Sequence, residues 1–372
     1  MKKIGTITFH NSINYGAILQ TYALQKCLTD LGYDSEVIDY RNTYVIKNMS
    51  FYRRIVHYAW HEIFKRILAG ETRRKKTIKF LNKHIRISKN TYHNASQLHE
   101  TPPIYDVYIT GSDQVWNPNI TGADCSYFLT FAPAEKLRIS YAPSFGLPIL
   151  KDNYMNLYKE WLKSIDKLSV REDEGKEIIK EIADREATVT LDPTLLLKKH
   201  QWEEISTPYE GNLYVLCYYM PGDKKVNKAI SKIAKIIANY NNWDIISIGQ
   251  KEYMKLVPGY KKIFDAGPDQ FVGLFQNASY VITNSFHGTV FSIIFNKPFY
   301  VPVNDKLPPE ENLSSRISSL LQKLELEDRL IPVDKSFGMQ DMQNIEYDKV
   351  NKLLRIERDK SLQFLKKALE EQ

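Results

Sequence analysis

Cysteine is scarce in this chain: Cys27, Cys125 and Cys217 are isolated and odd in number among 372 residues. That spacing argues against a disulfide framework or a zinc cluster and fits a reducing compartment. Long apolar runs are missing too, and nothing approaches the roughly 20 residues needed to span a bilayer. Met1-Lys2-Lys3 leads directly into a strand-like run from Ile4 to Phe9. The apolar stretch of a secretory leader is not there, so a cytoplasmic protein is expected. No G-x-G-x-x-G follows that first strand, and a dinucleotide is therefore not indicated.

What is present describes a soluble globular protein, with 43% hydrophobic and 26% charged residues. The length suits two domains of ordinary size. The net charge of +7 is unevenly placed. Between Arg41 and Asn90 fourteen lysines and arginines face only Glu62 and Glu71, so one segment holds the whole positive excess. Within it Phe51, Ile55, Ala59, Ile63 and Ile67 recur every four residues, which predicts a helical basic insertion over 44–90. Such a surface suits packing on the domain, or contact with anionic lipid or a polyanionic acceptor. No nucleic-acid-binding motif accompanies the charge.

The remaining pattern alternates strands and helices. Ile4 to Phe9, a helix from Tyr15 to Leu31 and a strand from Ser35 to Tyr40 open a Rossmann-like half. Further strands are expected at Tyr105 to Thr110, Leu137 to Ala142 and Lys167 to Val170. A second half begins near Leu213, with strands there, at Trp243 to Gly249, at Ser279 to Thr283 and at Phe299 to Val303. The expected domains are 1–195, 196–345 and a C-terminal helix over 346–372 that crosses back to the first.

Candidate site residues fall at strand-to-helix turns, where α/β sheets bind ligands. Asn14, Tyr15 and Gly16 follow the first strand, where they serve either a substrate or a capped helix start. Gly111-Ser112-Asp113-Gln114 leads to Trp116 and Asn117. Asp113 is a candidate general base or an Asx-turn residue, and Trp116 a candidate platform for a sugar or base. Arg171 closes a short strand, well placed to pair with an anion. Ser285, His287, Gly288 and Thr289 begin a late helix, where N–H groups and the helix dipole favour a phosphate or carboxylate. No metal site is evident, since His287 has no ligand neighbour at suitable spacing.

Taken together, Asn14-Tyr15-Gly16-Ala17, Gly111-Ser112-Asp113-Gln114 with Trp116, Ser169-Val170-Arg171-Glu172, Leu191-Asp192-Pro193 and Ser285-Phe286-His287-Gly288 resemble the polysaccharide pyruvyl transferases. The resemblance implies two Rossmann-like domains facing across a cleft (GT-B-like), the first on the acceptor side and the second on the donor side. It implies phosphoenolpyruvate as co-substrate, with no further cofactor, and a hexose of a surface-polysaccharide or lipid-linked precursor as acceptor. The product is a cyclic pyruvate ketal. Arg171 and His287 map onto the family's donor-site arginine and histidine. Where many members have arginine and leucine before that histidine, this chain has Ser285 and Phe286. The chemistry asks for a general acid and a base, for which His287 and Asp113 are the candidates. Donor contacts are expected from Arg171, Ser285, His287, Gly288 and Thr289, and acceptor contacts from Asn14, Tyr15, Gly16, Trp116 and Asn117. The alternative is a nucleotide-sugar glycosyltransferase on the same architecture, against which counts the lack of any carboxylate from His287 to Phe295. With a lipid-linked acceptor, the basic segment 44–90 would hold the enzyme peripherally at the inner membrane surface.

Overall fold

Buried β-branched and aromatic runs become the central strands of two parallel sheets in this computed structural model. It describes residues 1–45, 60–220, 223–249, 260–307 and 315–370. The first sheet has the order β3-β2-β1-β4-β5, with β1 Lys3–Ile7, β2 Asp34–Tyr40, β3 Ile87–Tyr92, β4 Val107–Thr110 and β5 Leu137–Ser140. A two-stranded parallel pair, β6 Ser169–Val170 with β7 Thr188–Val189, accompanies it. The second sheet has the order β10-β9-β8-β11-β12-β13. Its strands are β8 Tyr214–Tyr219, β9 Asp244–Gly249, β10 Lys261–Ile263, β11 Tyr280–Thr283, β12 Phe299–Val303 and β13 Leu330–Pro332. Every ladder in both sheets is parallel. Each sheet is therefore doubly wound, and the strand order reverses between β1 and β4 in one and between β8 and β11 in the other.

The chain divides into two compact units. The first comprises Met1–His57, Leu81–Leu197 and Arg355–Gln372, the second Tyr58–Phe80 and Lys198–Leu354. In the first, helix α1 Tyr15–Asp30 is buried around most of its circumference, which is why it carries apolar residues all round. Of its two buried glutamines, Gln20 donates to Thr8 Oγ1 at 2.9 Å and to the Ala17 carbonyl, and Gln25 to the Ser35 and Arg86 carbonyls.

The basic segment departs from the expected helical insertion in the first domain. Helix α2 spans Trp60–His84, but its residues up to Phe80 group with the second unit. There Lys76 pairs with Asp265 at 3.1 Å. Ile87 onward is not helical but forms β3, an edge strand whose Ser88 and Thr91 bond to β2. Phe51, Ile55 and Ala59 lie outside the described residues. The C-terminal helix α8, Tyr347–Glu370, changes unit at Leu354. In the second unit Tyr347 donates to the Lys297 carbonyl. In the first, Ser361 Oγ accepts from Leu191 N at 2.9 Å, and Leu365 and Leu369 enter the core beside Leu24 and Ile109.

Candidate active site

In the second unit the reversal point is occupied by the turn from β11 into helix α7, Phe286–Ile294 (α3 to α6 being Asp152–Leu162, Asp173–Ala183, Lys224–Asn241 and Pro268–Asn277). Three side chains shape this turn. Thr283 Oγ1 donates to the Tyr218 carbonyl at 2.9 Å and accepts from Ser285 N. Asn284 clasps Met220, accepting its N–H at 2.8 Å and donating to its carbonyl, which ties the end of β8 to the end of β11. Ser285 caps α7 by accepting from Gly288 N at 3.3 Å. Gly288 is required by packing, because a Cβ there would lie 2.5 Å from Thr283 Oγ1. Thr289 is fully buried and its hydroxyl returns to the Ser285 carbonyl, so its side chain serves the helix. His287 stands in the first turn, 7% exposed, with its ring edge-on to Phe286. Next to this turn Asp223 caps α5 through Lys225 N and meets Asn304, which follows β12.

In the first unit the loops after β1 and β4 flank the reversal point. Asn14 is exposed and caps α1, its Oδ1 accepting from Gly16 N at 2.9 Å. Tyr15 and Gly16 are buried. Asp113 has φ of +76°, a conformation that aspartate tolerates better than most residues. Its carboxylate accepts from Gln114 N at 2.8 Å, and its carbonyl accepts from Ser144 N. Arg171 is buried at the end of β6 with Nη1 on Asp192 at 2.9 Å and Nε 3.8 Å from Glu172. Asp192 is shared with Ser112 and Thr194, and Glu172 with Ser144 and Phe145 N. Burial opposes the guanidinium charge, but Asp192, Glu172 and Asp113 outweigh it and hold Arg171 above its ordinary range.

Trp116 is a correction. Its ring is fully buried, stacked 4.8 Å from Phe128, and its indole N–H goes to the Tyr127 carbonyl. It is a core residue, and no sugar can stack on it. Asn117 is likewise absorbed in structure, capping the one-turn helix Pro118–Thr121 and donating to Gln114. The geometry thus brings Asp113 and Arg171 into one cluster, and Ser285, His287, Gly288 and Thr289 into one helix start. Among the described residues no group of three or more His, Cys, Asp or Glu could hold a metal. Burial pushes the Cys217 thiol up to about 12, which leaves it a poor nucleophile.

One cluster carried no motif. His10, after β1, donates Nε2–H to Asp39 at 2.9 Å, and Arg41 and Thr91 bond to the same carboxylate. The signal was there only as polar residues at adjacent strand ends. Burial works to raise Asp39, but hydrogen bonds from His10, Arg41 and Thr91 prevail and hold it well below the usual carboxylate range. Asp39→Asn should therefore cost about 2–3 kcal/mol near neutral pH, measured by urea unfolding. A depressed carboxylate contributes fully above its unfolded value near 3.9 and loses that contribution as pH falls further. The gap between wild type and variant should accordingly be widest above about pH 5 and close in acid.

The polysaccharide pyruvyl transferase family profile matches residues 14–306, most of the chain, and spans both site loops. The chain belongs to that family. Family membership makes it an enzyme, a transferase of polysaccharide biosynthesis. No curated protein matches it significantly. Among solved structures it is similar to a glycosyltransferase from Rickettsia africae at 11% identity, covering 100% of this chain and 99% of that one, with a TM-score of 0.49. It is also similar to the UDP-GlcNAc 2-epimerase of Methanocaldococcus jannaschii in complex with UDP-GlcNAc and UDP. That likeness has 14% identity, coverage of 96% and 93%, and a TM-score of 0.45.

Proposed function

We propose that this pyruvyl transferase takes its three-carbon group from phosphoenolpyruvate and sets it on a hexose of a surface-polysaccharide or lipid-linked precursor as a cyclic ketal. The supporting observation is the start of α7: a capped helix N-terminus at a sheet reversal point, carrying a nearly buried histidine and no carboxylate. First-turn N–H groups and the helix dipole suit a phosphate or carboxylate. The resemblance also offers Arg171, but its side chain is 1% exposed and committed to Asp192 and Glu172 in the first unit, so its proposed role is to position the loop bearing Asp113.

A proton reaches the methylene carbon of phosphoenolpyruvate and converts it to a methyl group. The cationic C2 is attacked by one sugar hydroxyl, which loses its proton. Phosphate then leaves C2 with the bonding pair, and a second hydroxyl attacks and loses its proton to close the ring. His287 is the proposed acid and Asp113 the proposed base for the acceptor. Asn14 remains the proposed acceptor contact of the first loop, because its side chain is exposed. The test pairs the purified enzyme and a glycan acceptor with phosphoenolpyruvate in one arm and UDP-sugars in the other. Phosphate release in the first supports the reading, whereas nucleotide release in the second alone replaces it with glycosyl transfer.

Contact with an anionic membrane is proposed for the outer face of α2. Leu68 and Ile78 are 51% and 44% exposed there, among exposed Arg74, Lys75 and Lys79. Each such cation adds about 1 kcal/mol at an anionic surface. Reversing the three to glutamate should release the protein from phosphatidylglycerol vesicles in flotation; unchanged flotation would reject the contact. No helix among the described residues is long and apolar enough to cross a membrane.

A further inference from the structure

Arg41 stands just past β2, its backbone N–H donating to the Tyr92 carbonyl at 2.7 Å. Its guanidinium meets Asp39 as a fork, Nε to Oδ1 at 2.9 Å and Nη2 to Oδ2 at 2.8 Å. Asp39 is itself buried and fixed from two further sides, by His10 Nε2 at 2.9 Å and Thr91 Oγ1 at 2.7 Å. The Arg41 side chain, by contrast, is 43% exposed. An arginine this exposed ordinarily samples many rotamers, so a buried four-contact carboxylate beneath it is more than solubility needs. Only two of its five N–H donors are spent on Asp39, and the others have no partner among the described residues. Asp39 is also divided among three donor residues, which leaves it a weaker counter-ion to Arg41 than a private carboxylate. A cation with its plane locked lies where β2 ends, next to β1 and the loop that leads to α1.

We infer that Arg41 reads a phosphate ester carried by the acceptor, so that the sugar arrives phosphate-linked and not as a neutral glycan. A planar, pre-oriented guanidinium matches phosphate oxygens in pairs, which a lysine in the same place does not. The choice of acceptor over donor as the phosphate's source rests on the pyruvyl-transfer reading, in which the first unit serves the acceptor. The phosphate chemistry itself does not depend on it.

Calorimetric titration of wild type, Arg41→Ala and Arg41→Lys with inorganic pyrophosphate, and separately with phosphoenolpyruvate, tests this. Loss of hydrogen bonds to a charged group predicts about tenfold or greater weakening of pyrophosphate binding in Arg41→Ala, with an intermediate value in Arg41→Lys. Phosphoenolpyruvate affinity should not change. Equal pyrophosphate affinity in wild type and Arg41→Ala overturns the phosphate assignment. Weakening of phosphoenolpyruvate alone overturns the acceptor assignment and moves Arg41 to the donor. A wild-type protein that binds pyrophosphate through Arg41 but never phosphoenolpyruvate upholds the phosphate assignment and overturns the donor reading, and the acceptor assignment with it.

Discussion

His287→Gln should lower the turnover of pyruvyl transfer by about 10²–10⁴, the range a single general acid contributes. That corresponds to about 2.7–5.5 kcal/mol of barrier. Glutamine keeps the bulk of the ring and a hydrogen-bonding terminus, so the first turn of α7 retains its packing. Ser285, Thr283 and Asn284 hold that turn through their own bonds, none of which uses the imidazole. Thermal unfolding should therefore be nearly unchanged while kcat collapses, and the pairing of those two readouts carries the argument. If His287 instead only contacts the donor phosphate, the KM for phosphoenolpyruvate rises and kcat holds. Retention of both constants would remove the histidine from the mechanism altogether. Asn284→Leu provides the structural contrast. It unclasps β8 from β11 and should disturb folding and catalysis together.

The central strands were legible because Val107–Thr110, Tyr214–Tyr219 and Tyr280–Thr283 are buried along their whole length and so read as unbroken apolar runs. The strands that escaped notice all lie at or toward sheet edges. Ile87–Tyr92 is ISKNTY, Lys261–Ile263 is KKI, and Leu330–Pro332 is only three residues long and ends in a proline. Polarity there protects an open edge, and it also erases the alternation that betrays a strand. In the site, Asn14 and Ser285 were readable because capping is local: acceptor and N–H lie two or three residues apart. Trp116 misled because a tryptophan after a strand reads alike whether it faces a ligand or a core. Only Phe128, twelve residues on, and Tyr158 beyond it decide the matter. His10 with Asp39 lay beyond local reading for a related reason, since the adjacency of β1 and β2 ends brings them together. Likewise Arg171 could be singled out at a strand's end, but not its partnership with Asp192, which needs β6, β7 and the loop after β4 in place at once.

Asp192→Ala should destabilise the protein by about 3–5 kcal/mol, the usual consequence of removing one partner from a buried ion pair. Arg171 and Asp192 have side chains about 1% and 0% exposed, so water cannot replace the lost carboxylate. The substitution removes Arg171 Nη1's 2.9 Å contact and deprives Ser112 and Thr194 of their shared acceptor. Glu172 remains, but 3.8 Å from Nε and with one oxygen already committed to Ser144 and Phe145, it compensates poorly. The loop bearing Asp113 should loosen as well, because Ser112 anchors it to Asp192. Urea unfolding read by tryptophan fluorescence would report the loss directly, Trp116 lying buried in the same unit. A shift below about 1 kcal/mol would mean that Arg171 finds another counter-charge and that the cluster is not what holds the loop. The double variant Asp192→Ala, Arg171→Met separates the two contributions. With the guanidinium gone, Glu172 is the charge of this cluster left behind, still bonded by Ser144 and Phe145 N, and part of the stability should return even though the ion pair does not. Activity should not return with it, because Ser112 still lacks the acceptor that anchors the loop bearing Asp113.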